Sequence, residues 1–300
     1  MQDCALCQTS FEPKELSHIV SAFAYRWLRS TSVTGFMRYG PSVNRRVQDG
    51  IKDYFLCEAC EDRFSSYEDV FAKGFFYPFV ESNSVCLEYG EGVLKFAVSA
   101  SWRVLAYAKQ KNRLKHFRGR HESAVTDCLE VWRAYLLGVR NDIGNHEIHL
   151  LPFCGVIDYS GDDVPKNLNR YLRRTIEIDT VVSDRQAVTY CKLGPLTLIG
   201  LIEYPNLSHW QNTKIEKSGH FAPGQTSCPV EYRDYIFRQS LRLQELEAQL
   251  SERQLSQIER SYIKNETKVR GSDTIQSALL DFELQLRKIG LDPTREGPDK

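Results

Sequence analysis

The spacing of apolar and polar residues changes character three times along this chain. Leu16 to Val20 alternates with period two and predicts a short strand, while Ala22 to Arg29 predicts a short helix. Thr31 to Asp49 reads as a polar loop containing Gly and Arg, and Tyr54-Phe55-Leu56 as a brief apolar strand. From Glu61 to Ala72 a helix is expected, because Phe64, Tyr67 and Phe71 recur at helical spacing. Two more helical stripes follow, Val93 to Tyr107 (Leu94, Val98, Trp102, Leu105) and Glu122 to Leu137 (Val125, Leu129, Trp132, Leu136).

After Glu147 the pattern shortens. Ile148 to Phe153, Thr175 to Val182, Ala187 to Lys192 and Leu196 to Tyr204 are β-branched runs cut by turn residues, which predicts a small antiparallel sheet beside the helices. Pro205 to Pro229, rich in Asn, Ser, Gly and Pro, reads as a connector. Glu231 to Tyr262 is expected to be one long charged helix. Its heptad-like stripe (Ile236, Leu243, Leu246, Leu250) slips at Leu255, so it suits packing on its own body as well as dimerisation. Thr274 to Ile289 predicts a last helix before a Pro- and Gly-containing tail. The expected class is α+β in three parts: a zinc module at 1–80, a unit of helices and small sheet at 81–225 beginning near Val85, and a helical region at 226–300.

The chemistry concentrates at the start. Cys4-Ala5-Leu6-Cys7 is answered by Cys57-Glu58-Ala59-Cys60, and thiolates two residues apart can reach one tetrahedral ion, so a structural zinc site is expected. Two pairs separated by a loop, the second opening a helix, is the layout of a treble clef. A module this small buries too little apolar surface to fold alone, and structural zinc supplies ~10–16 kcal/mol of apparent binding free energy. The other five of the nine cysteines are scattered singly, which suits buried thiols in a reducing cytoplasm better than a disulfide framework.

Composition narrows the partners. Basic and acidic residues balance at 39 each, so any nucleic-acid contact must come from local patches. The longest apolar run, near Leu196 to Ile202, is far shorter than the ~20 residues of a membrane helix, and the N-terminal residues do not form a secretion signal. A cytoplasmic protein without a membrane span is expected. His146-x-x-His149 would be metal-like on a helix, but in a strand its rings point to opposite faces. Trp102, Trp132 and Trp210 are expected as core anchors.

Cys4-x-x-Cys7, Leu16-Ser17-His18-Ile19 and Phe55-Leu56-Cys57-x-x-Cys60-Glu61 together resemble the zinc-bearing HNH endonucleases, over about residues 1–75. The resemblance implies a ββα-metal fold and phosphodiester hydrolysis with one Mg2+ or Mn2+ ion, with His18 as general base and the four cysteines structural. Three positions differ from the family pattern. Ser17 precedes the base where His or Asp is usual, Glu61 stands where the helix usually opens with His, and Asp49 and Asp53 stand where Asn is common, with Asn44 further back. Carboxylate oxygens suit magnesium or manganese, which makes Glu61 the first ligand candidate and Asp49 or Asp53 the second. Arg38, Arg45 and Arg46 in the long loop are the expected nucleic-acid contacts, and the basic run Lys109 to Arg120 reads as a solvated connector.

The function expected from this resemblance is endonucleolytic cleavage of DNA ahead of RNA, in a layout suited to bacterial genome defence. The C-terminal helices are a candidate surface for a protein partner. The alternative is a zinc module that binds nucleic acid or a protein without catalysis.

Overall fold

The computed structural model describes residues 1–82, 86–159, 161 and 163–291. The expected boundary near Val85 and the tail from 292 onward lie outside them. The first strand narrows to β1 (Ser17–His18) and is followed by helix α1 (Ala22–Ser30). The polar loop expected at Thr31 to Asp49 is corrected: it holds a hairpin, β2 (Met37–Tyr39) and β3 (Ser42–Val47), with Arg38 opposite Arg46. Its apolar positions, Met37, Val43 and Val47, are too sparse among Arg and Asn to read as strands. The strand expected at Tyr54 to Leu56 lies earlier, as β4 (Lys52–Asp53), which pairs antiparallel with β1. Helix α2 (Glu58–Phe71) continues through a π-helical turn at Ala72–Phe76 into Tyr77–Ser82.

The two central stripes form α3 (Glu91–Gln110) and α4 (Arg120–Leu136). Strands β5 (Ile148–Pro152), β6 (Ile176–Val182), β7 (Ala187–Leu193) and β8 (Leu196–Glu203) make one antiparallel sheet in the order β5-β8-β7-β6. A short helix, α5 (Leu168–Arg174), intervenes between β5 and β6. The single long helix expected near the C-terminus is broken into α6 (Val230–Ala248) and α7 (Glu252–Lys264), and α8 (Asp273–Lys288) follows. None of the described helices is long and apolar enough to cross a membrane.

The chain groups into two compact units, each drawn from three stretches of sequence. Unit 1 comprises Met1–Ala24, Gly50–Pro152 and Ile176–Cys228; unit 2 comprises Tyr25–Asp49, Phe153–Thr175 and Pro229–Lys300. In unit 1 the sheet lies under α3 and α4. Trp102 and Trp132 are buried in this unit, as is Trp210, which stacks on His149 at 4.3 Å. Phe71 stacks on Phe96 at 4.0 Å, tying α2 to α3. Gly194 takes a φ of +68°, which the two-residue turn between β7 and β8 requires.

Gly200 lets the sheet approach the helices closely. A Cβ there would stand 2.5 Å from Thr189 Oγ1, 2.7 Å from Trp132 and 3.0 Å from Ser101. Gly200→Ala is therefore expected to cost about 1–3 kcal/mol by overpacking, read as a lower denaturant midpoint at unchanged slope.

Lys192, on β7, is fully buried and donates to the carbonyl of Gly194. Burial pulls its ammonium down to about 7, against the opposing pull of Glu177. Its folded pKa lies below its unfolded value, so the unfolded chain binds more protons between about pH 7 and 10 and stability rises with pH across that window. Relative to Lys192→Met, the natural protein should gain on the order of 3 kcal/mol between those limits, measured by chemical denaturation at matched pH. A constant difference would refute the assignment.

Unit 2 closes on Leu168, Tyr171, Leu172, Ile236, Phe237 and Leu284. Asp281 of α8 accepts from the backbone N–H groups of Asn169 at 2.6 Å and Arg170 at 3.2 Å, so a side chain from a distant helix caps α5. The break between α6 and α7 has a tertiary cause. Asn44, on β3, donates to the carbonyl of Gln249 at 3.1 Å and accepts from the N–H of Ser251 at 2.9 Å, satisfying backbone groups that the interruption frees. Ser251 then opens α7 in extended conformation.

Candidate metal centre

The ligand positions follow from two local structures in unit 1. In the first, the Cys4 carbonyl accepts from Gln8 N–H at 2.9 Å and the Cys4 N–H donates to Thr9 at 3.0 Å, with Gln8 at a φ of +62°. This tight turn points Cys4 and Cys7 the same way. In the second, Cys57 is the N-cap of α2 and Cys60 lies in its first turn, where the helix dipole favours thiolate.

The four sulfurs lie within 4.8 Å of one another. The Cys7 and Cys57 sulfurs are 3.7 Å apart, against the ~3.8 Å between corners of a tetrahedron with Zn–S bonds near 2.3 Å. Cys57 N–H also donates to the Cys4 sulfur at 3.3 Å, a bond that stabilises negative charge there. Hydrogen bonding from Cys60 holds the Cys4 thiol down to about 4, and the same pairing pushes Cys60 up, as burial does for Cys57. Four sulfurs this close cannot all ionise without a cation between them, and this cluster could hold a metal ion such as zinc.

The knuckle is held from outside by the helices of unit 1. Arg133 of α4 donates to the carbonyl of Leu6 at 2.9 Å, and Arg63 ties α2, which carries the second cysteine pair, to the end of α4 through the carbonyl of Leu136 at 3.0 Å. Ser17 Oγ accepts from Leu56 N–H at 3.1 Å, one residue before Cys57. Ser17 thus fastens β1 to the second cysteine pair.

Arg103 of α3 is the residue that sequence reasoning missed. It is 2% exposed, donates to the His18 carbonyl at 3.1 Å and to Ser21 Oγ at 3.2 Å, and meets Glu68 of α2 at 2.7 Å. The available signal was a single charged residue between Lys95 and Lys109 in the mostly apolar stretch of this helix.

Among the described residues, no group other than the four cysteines brings three potential metal ligands together. Half-buried His18 pairs with Lys52 across β1 and β4. Asp53 is held in an ion pair with Lys111, and its other oxygen accepts from Tyr54 N–H at 3.0 Å. Asp49 belongs to unit 2. Glu61 lies in the first turn of α2, and its Oε1 is buried with no hydrogen-bond partner among the described residues.

His146 and His149 do not meet on one ion. His146 Nε2 lies 3.0 Å from Asp127 and His149 Nδ1 lies 2.9 Å from Thr213. Burial, reinforced by Lys214, pulls His149 down to about 3, so it is neutral.

No known family, curated protein or solved structure matches this chain.

Proposed function

We propose that residues 1–75 form an HNH-like, treble-clef module that cleaves DNA, with zinc as its structural metal and His18 as general base. The observation that carries this reading is the fastening of the His18 strand to the cysteine cluster: Ser17 binds the residue before Cys57, and Arg103 grips the His18 carbonyl. A base is effective when its backbone is held rigidly beside the site of proton transfer. Glu61, whose Oε1 has no hydrogen-bond partner among the described residues, is the protein's leading contribution to a divalent ion whose other positions are completed by substrate phosphate and water. A role in genome defence belongs to the same proposal.

The second reading, a zinc module that binds without cutting, is favoured by the commitment of Asp53 to Lys111 and of Glu68 to Arg103. Nicking of supercoiled plasmid with magnesium or manganese separates the two. The nuclease reading expects metal-dependent nicking that falls at least a hundredfold in His18→Ala at equal zinc content, as loss of a general base costs ~100–10,000-fold. Equal cleavage by both proteins would remove His18 from the mechanism, and no cleavage by either would favour binding alone.

A further inference from the structure

The hairpin of unit 2 carries an electrostatic arrangement that the fold alone does not explain. Arg38 and Arg46 are cross-strand partners on β2 and β3, and both guanidiniums lie over the Phe36 ring, at 5.6 Å and 4.0 Å. Among the described residues neither pairs with a carboxylate, and nor does exposed Arg45, which lies 5.7 Å over Tyr39. Like charges directly across a strand pair are destabilising. Burial lowers the Arg38 pKa, and neighbouring Arg46 lowers it further.

The two guanidiniums converge on one point. Arg38 Nη1 donates to Gln254 Oε1 at 3.0 Å, and Arg46 Nε donates to the same oxygen at 3.3 Å. Arg46 Nη2 donates to Gln257, and Arg38 Nη1 also reaches the Val43 carbonyl at 3.0 Å. Arg38 Nη2 is buried with no hydrogen-bond partner among the described residues. All the acceptors are neutral. The amide oxygen of Gln254 therefore marks a place where two cationic forks meet one acceptor, with a donor to spare.

We infer that the β2–β3 hairpin, braced by α7, grips the phosphodiester backbone of nucleic acid, with Arg38 and Arg46 closing on one phosphate and Arg45 reaching another. Guanidinium forks match phosphate oxygens, and two charge-assisted bonds to one anion relieve the repulsion between the forks. The half-buried ring of Phe36 and the exposed ring of Tyr39 add aromatic surface beside the arginines on which a sugar or base can pack. Contacts of this kind position a strand without reading its sequence. Gln254 is a positioning residue: it holds both arginines in place and yields to the anion. The inference rests on the nucleic-acid reading above and is independent of hydrolysis.

The decisive variant is Gln254→Glu, which keeps the shape but sets a carboxylate at the meeting point. Binding is measured by fluorescence anisotropy on labelled duplex DNA, single-stranded DNA and RNA of mixed sequence. No magnesium or manganese is added, and salt runs from about 50 to 200 mM. Gln254→Glu should raise the melting temperature by neutralising the pair, and should weaken binding roughly tenfold or more. Arg46→Gln should lower the slope of log affinity against log salt by ~0.9 on duplex or ~0.7 on single strands, and the Arg38→Gln/Arg46→Gln double variant should weaken binding further. Arg233→Gln, at an exposed arginine already paired with Asp234, serves as control. The three probes distinguish DNA from RNA as the source of the phosphodiester.

Binding by Gln254→Glu and Arg46→Gln equal to that of the natural protein, or no binding of any probe by the natural protein, would overturn the inference. Loss of binding in these variants alongside absent plasmid cleavage would leave the grip standing and remove the nuclease. Cleavage lost in His18→Ala with binding untouched by the hairpin variants would do the reverse.

Discussion

Cys57→Ser should abolish stoichiometric zinc and lower the melting temperature by roughly 10 °C or more. Structural zinc contributes ~10–16 kcal/mol of apparent free energy, as much as the whole stability of an ordinary domain, and about 1 kcal/mol moves the midpoint of a chain of 150–250 residues by ~2–4 °C. Part of that energy should be retained, because Phe55, Phe64, Phe71, Phe96 and Trp102 are buried against one another and not only against the cysteines. A loss of about 5 kcal/mol is the expected remainder.

The effect should reach beyond the knuckle. Cys57 opens α2, Leu6 between the first cysteines is gripped by Arg133, and Leu56 is fastened to Ser17. A strong chelator should reproduce the shift in the natural protein and leave Cys57→Ser where it was. A protein purified without zinc that melts identically before and after zinc is added would dispose of the metal centre.

Arg103→Met should destabilise unit 1 by about 3–5 kcal/mol, the usual cost of removing one partner of a buried ion pair. Three groups lose their donor together: the His18 carbonyl, Ser21 Oγ and the carboxylate of Glu68. Adding Glu68→Met should recover a large part of the loss, because the stranded charge is what costs most, and the double-mutant cycle isolates that coupling. Arg103→Lys keeps the charge but cannot serve three acceptors from one planar fork, so it should fall between. A loss below about 1 kcal/mol for Arg103→Met would show that the guanidinium is not what holds the His18 strand to α2 and α3.

The cysteine cluster was legible because Cys-x-x-Cys carries its geometry within four residues: a tight turn in one case, the first turn of a helix in the other. The central helices were legible for a related reason. Trp102 and Trp132 recur with their neighbours at a period that only a helix satisfies, and each stripe found a sheet face to cover. The partner of Asp53 was not legible: Lys111, just past the C-terminal end of α3, claims it from 58 residues along the chain.

The hairpin at Met37 to Val47 shows the same division. Its sequence is polar and Arg-rich, which reads as loop, and the charged residues of α7 read as an ordinary solvated face. Neither pattern reveals that Asn44 bridges the α6–α7 break or that Gln254 sits between two arginines. By itself the sequence determined what local periodicity and short spacing encode: the cysteine quartet, the helices that carry apolar stripes and the β-branched strands. Tertiary structure alone decided which distant groups meet, because an Arg103–Glu68 pair or an Arg38–Gln254 contact arises from chain closure over tens to hundreds of residues and leaves no periodic trace.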